Sequence, residues 1–85
     1  MKIAIKILVL PGINKKTIEG DVDLEEGSTM QELFKAIKSD YGVDLQNAKN
    51  CMAILDGEVV NIERPWEISI EKRKQLWVMP MISGG

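Results

Sequence analysis

From residue 2 to residue 9 the chain alternates. Ile3, Ile5, Ile7 and Val9 fall on one side and Lys2, Ala4, Lys6 and Leu8 on the other. A period of two rich in β-branched residues predicts a strand. Pro11, Gly12 and Asn14 supply turn residues, after which Ile18, Val22 and Leu24 alternate with Thr17, Glu19, Asp21 and Asp23. Two such runs joined by a turn predict a hairpin. Beyond Gly27 the period changes: Met30, Leu33, Phe34, Ile37 and Tyr41 recur at helical spacing, with Gln31, Glu32, Lys35, Lys38 and Ser39 opposite. One amphipathic helix should therefore pack on one sheet. Thr29 and Glu32 make a capping box at its start, Ser28 and Gln31 offer a competing register, and Gly42 ends it.

The second half reads as strands again. "CMAILDGEVVN" is a strand, an Asp56-Gly57 turn and a short strand, the Asp-Gly pair suiting a tight hairpin. Arg64 and Pro65 interrupt it, and "WEISI" is ambiguous. In "QLWVM" Leu76 and Val78 alternate with Gln75, Trp77 and Met79. This separates two faces without saying which is interior. Trp77 and Met79, with Met81, are thus either core or an outward docking face, because aromatic and methionine side chains are enriched at interfaces. Pro80 lacks a ladder donor, so the expected organisation is a folded domain over 1–79 and an extended tail over 80–85. The element order is β-β-α-β-β-β.

Composition narrows the chemistry. With 85 residues there is room for one core, and 45% hydrophobic with 28% charged residues is the balance of a folded soluble domain. Eleven basic and 13 acidic residues give a net charge of −2, without the electropositive footprint that nucleic acid requires. No apolar run approaches the ~18 residues of a membrane span, and Lys6 interrupts the first apolar stretch, so neither membrane nor secretion is expected. Cys51 is the sole cysteine and histidine is absent, which fits a reducing, cytoplasmic setting and removes the usual zinc sets and Cys-His dyads. Among apolar neighbours, Cys51 reads as an inert thiol. Asp21, Asp23, Glu25 and Glu26 lack the spacing of an oxygen-ligand loop, so no metal is expected.

The sequence closes on "PMISGG". Extended, this stretch spans about 20 Å, enough to reach a partner's active site while the domain stays outside. Gly84 and Gly85 make its tip thin, suited to a channel that accepts bare backbone. A carboxylate at that tip is a poor electrophile until its oxygen becomes a good leaving group.

The order of elements, a helix opened by "GSTMQEL", an "ILDGEVV" turn and a "WVMPMISGG" ending together resemble the ubiquitin-like sulfur carriers, above all the small subunit of molybdopterin synthase. The similarity covers nearly the whole chain. It implies an α+β, ubiquitin-like β-grasp fold, a mixed sheet of about four to five strands with one main helix on one face. In that family a ubiquitin-activating-type adenylating enzyme uses ATP to convert the terminal carboxylate to an acyl adenylate. Sulfur from a donor then displaces AMP to leave a thiocarboxylate. Carried over by position, Gly85 is the reacting residue, and Gly84, Ser83, Ile82, Met81 and Pro80 thread into the partner. In the molybdopterin branch the tail enters the large subunit of the synthase and gives its sulfur to a pterin precursor. The resemblance therefore implies a non-catalytic carrier that binds no cofactor itself.

The same terminal chemistry serves carriers to the thiazole of thiamine or other acceptors, and ubiquitin-like modifiers that form isopeptide bonds. From another class, an interaction module with an idle tail also fits the pattern. The chain departs from the family at Lys72, Arg73 and Lys74, where an Asp-Gly turn is common, and at Met81, where a second proline is common.

Overall fold

Because Ile3, Ile5 and Ile7 need one buried side, the first alternating run forms β1 (Lys2–Ile7), which pairs antiparallel with β2 (Ile18–Asp23). The computed structural model describes residues 1–81. The helix α1 (Met30–Tyr41) follows, then β3 (Cys51–Leu55), β4 (Glu58–Val60) and β5 (Gln75–Pro80), with single 3-10 turns at Leu45–Asn47 and Pro65–Glu67. The sheet order is β2-β1-β5-β3-β4, with β1 and β5 parallel and the other neighbours antiparallel. One main helix on a five-stranded mixed sheet is the α+β β-grasp arrangement expected from the sequence.

The helix begins in the Thr29 register. Thr29 N–H donates to Glu32 Oε1 at 3.2 Å, whereas Ser28 is buried and its hydroxyl donates to Glu25 C=O at 2.6 Å. Gly42 takes φ 74° and donates to Lys38 C=O, the left-handed turn that ends a helix without a Cβ clash. Met30, Leu33, Phe34 and Ile37 are fully buried against Ile3, Ile5, Ile7, Leu76 and Val78. Each such side chain contributes about 1.5–3 kcal/mol by leaving water.

"WEISI" resolves by pairing with the helix entry. After the turn at Pro65–Glu67, Met30 N–H donates to Ile68 C=O at 2.8 Å and Ile70 N–H to Ser28 C=O at 3.2 Å, which carries Ile70 into the core.

Two expectations are corrected. Val9 does not continue the buried row: β1 stops at Ile7, Val9 is 43% exposed, and Leu10 is buried instead. The cause is Asn14, whose Oδ1 accepts Leu10 N–H at 2.9 Å while its Nδ2 donates to Leu8 C=O at 3.2 Å and Lys16 C=O at 2.8 Å. That side chain folds the strand end into a loop. Pro80, placed in the tail by the sequence, belongs to β5 and pairs with Cys51, and Met81 N–H still donates to Asn50 C=O at 2.7 Å. Its missing donor costs nothing there. In the parallel ladder the N–H of residue 80 would serve Leu8 C=O, which Asn14 already satisfies. Ile82, Ser83, Gly84 and Gly85 lie outside the described residues.

The tight turn between β3 and β4 places Asp56 at φ 50° and Gly57 at φ 81°, the pair of positive values that an Asp-Gly hairpin favours. Asp56 also fastens the start of β5: its Oδ1 accepts Gln75 N–H at 2.9 Å and Lys74 N–H at 3.1 Å. Just upstream, Lys72 holds φ 66°, the left-handed backbone that a glycine adopts more readily. Asp56→Ala leaves two backbone donors without their acceptor, and should destabilise the domain by about 1–3 kcal/mol in urea unfolding, with Asp56→Asn losing less.

Candidate functional site

The helix covers one face of the sheet, and register shows what occupies the other. Leu76 and Val78 are buried under the helix, so Trp77 and Met79 turn outward; Trp77 is 42% exposed and Met79 half-buried. Cross-strand pairing aligns Glu19 with Lys6, Lys6 with Trp77, Trp77 with Ile54 and Ile54 with Val59. Met79 pairs with Met52 in the next row. The result is an apolar stripe of Trp77, Ile54, Val59, Met79 and Met52, with Val59 at 62% exposure. Val59 and Trp77 are among the most exposed large apolar side chains of the described residues, and this stripe gathers them on one face.

Charge borders the stripe on one side. Lys6 Nζ stands 5.3 Å from the centroid of the Trp77 ring and 3.3 Å from Glu19 Oε1. The ammonium thus stands over the indole from the β1 side, with its own charge balanced by the next strand, while Ile54 pairs with Trp77 on the β3 side.

The stripe leads to the root of the tail. Pro80 is half-buried beside Cys51, and Met81 is 54% exposed. Met81 shares an open groove with Asn50, Cys51, Met52, Val60 and Ile62. Of the residues singled out for threading, Pro80 is paired with Cys51 of β3 and Met81 bonds Asn50 just before it, beside the outward apolar face. Ile82, Ser83, Gly84 and Gly85 lie outside the described residues.

Ile54, Val59 and Met52 were not singled out from the sequence. Their signal was present: "CMAIL" is apolar at every position, so a strand lying under one helix has an apolar side left over. Lys6 carried no such mark, since its relation to Trp77 joins residues from opposite ends of the chain.

Cys51 is partly buried at the edge of this groove, and burial pushes its thiol above the ordinary value. Burial favours the neutral thiol over the nucleophilic thiolate. Alkylation at neutral pH should accordingly be slower in the folded protein than in the same protein in urea, followed by mass shift; faster reaction when folded would contradict it.

Among the described residues no helix is long and apolar enough to cross a membrane. No curated protein sequence gives a significant match to the chain. The pattern of the ThiS family matches residues 10–85, which takes in the helix, the outward stripe and the last strand as well as the final residues. With a match over most of its length and the β-grasp architecture described above, the chain belongs to the ThiS family of small sulfur carrier proteins.

Proposed function

We propose that the protein carries sulfur on the carboxylate of Gly85 for molybdopterin synthesis, and that the stripe centred on Trp77 seats it on the enzymes that load and unload it. The observation that carries this reading is positional. The last strand is central in the sheet, bears Trp77 and Met79 on its open face, and runs directly into Met81. An enzyme that covers the stripe lies beside Met81.

The chemistry asks little of the carrier's side chains. An adenylating partner of the ubiquitin-activating type joins the Gly85 carboxylate to the α-phosphate of ATP and releases pyrophosphate. Hydrosulfide delivered by a sulfur donor then attacks the carbonyl carbon and AMP leaves, which yields the thiocarboxylate. The large subunit of molybdopterin synthase takes the chain beyond β5, through Met81, Ile82, Ser83 and Gly84, and the thiocarboxylate gives its sulfur to a pterin precursor while water returns the Gly85 carboxylate. The carrier contributes orientation: fixing the body on the partner makes the reaction at the tip effectively intramolecular.

The family match does not distinguish a second acceptor, the thiazole of thiamine, with the same activation and a different final enzyme. Loaded carrier supplied separately to a molybdopterin synthase large subunit and to a thiazole synthase distinguishes the two by which product gains sulfur.

The protein produced with its activating enzyme should gain mass by one oxygen-to-sulfur exchange, and removal of Gly85 should abolish that gain while leaving the thermal transition in place. A mass that never changes removes the carrier reading. Trp77→Ala should keep the fold, because the indole stands outside the core, and should weaken binding to the activating enzyme at least tenfold, about 1.4 kcal/mol. Calorimetry on the pair measures it.

A further inference from the structure

Alternate residues of β2 turn their backbone groups away from β1. Ala4 N–H donates to Lys74 C=O at 2.9 Å, so Ala4 faces β5, and its cross-strand partner Asp21 must direct its own N–H and C=O to the free side of β2. Glu19 and Asp23, opposite Lys6 and Lys2, point the same way. As β2 is an outer strand of the sheet, these groups form a template for another strand.

At the middle of the template stands a tyrosine. Tyr41 Oη donates to Asp21 C=O at 2.9 Å and accepts Asp21 N–H at 3.1 Å. A single hydroxyl satisfies both groups that an incoming strand would use. The ring gets there because position 20 has no side chain: a Cβ on Gly20 would lie 2.1 Å from Tyr41 Oη and 2.8 Å from Cζ. Tyr41 is the last residue of α1, so the helix that covers the core also delivers the phenol to the sheet edge.

We propose that Tyr41, seated over Gly20, is an edge guard that keeps β2 from pairing with a second copy of this chain. The acidic side chains act in the same sense. Antiparallel pairing of two β2 strands about Asp21 sets Asp21 against its own copy and Glu19 against Asp23, which opposes like charges. The other outer strand, β4, has three residues and offers a much shorter template. The longer edge is the one that carries the guard. A carrier that must sit alone on successive partners has a use for it, but the guard stands on geometry alone, whatever the sulfur acceptor.

Tyr41→Phe tests the guard, since it keeps the ring and removes only the hydroxyl. Amide exchange at Asp21 should quicken about tenfold, the scale of one lost hydrogen bond. In ~1 M salt, where charge repulsion is screened within about 3 Å, sedimentation should show dimers that the wild-type protein does not form. Tyr41→Phe with Asp21→Asn should dimerise at lower salt. Gly20→Ala displaces the phenol by a separate route and should reproduce both effects, which keeps the test open if one variant folds poorly. Unchanged exchange at Asp21 in Tyr41→Phe overturns the proposal. So does faster exchange in variants that stay monomeric at every salt concentration, or a wild-type protein that dimerises equally well.

Discussion

The parallel pairing of β1 with β5 is the contact on which the remaining geometry depends. It brings the start and the end of the chain side by side in the middle of the sheet, with the hairpin β1-β2 on one side and β3-β4 on the other. Because parallel strands run in one direction, β5 finishes at the same end of the sheet as β1. Asn14 closes β1 there by binding Leu8 and Leu10, which relieves residue 80 of its place in the ladder and allows a proline at that position. A central strand can then extend past its neighbour, held on one side by Asn50.

The same pairing explains why the molecule has an apolar outside. A sheet has two faces, and one helix of twelve residues covers only one of them. Ile3, Ile5, Ile7, Leu76, Val78, Ala53 and Leu55 satisfy the helix. Trp77, Ile54 and Val59 come from three adjacent strands and meet on the side that the helix leaves uncovered, where Trp77 and Val59 are exposed among the described residues. In the proposed function that uncovered side supplies the orientation, and the strand through its centre runs into Met81.

Two polar side chains bind backbone groups of the sheet from a distance. Asp56 ties the β3-β4 turn to the first residues of β5, fixing the register of the central antiparallel pair. Tyr41 occupies the outward backbone groups of β2 through the slot left by Gly20. Each uses one side chain to satisfy two backbone groups that lie far away in sequence. The sheet therefore depends on these two residues out of proportion to the area they bury.

Periods, caps and turns were legible in the residues themselves. The alternation of Ile3, Ile5 and Ile7, the helical recurrence from Met30 to Ile37, the Thr29-Glu32 box, Gly42 and Asp56-Gly57 each express a preference between near neighbours, and near neighbours are what a sequence displays. The closing "PMISGG" with the family resemblance was equally visible there. Tertiary structure alone decided that Trp77 faces outward and Leu76 inward, that β5 holds Pro80, that Val9 leaves its row for Asn14's loop, and that Tyr41 ends on Asp21. Those outcomes depend on contacts between residues distant along the chain, and a strand apolar on both sides learns its interior only from the helix that comes to cover it.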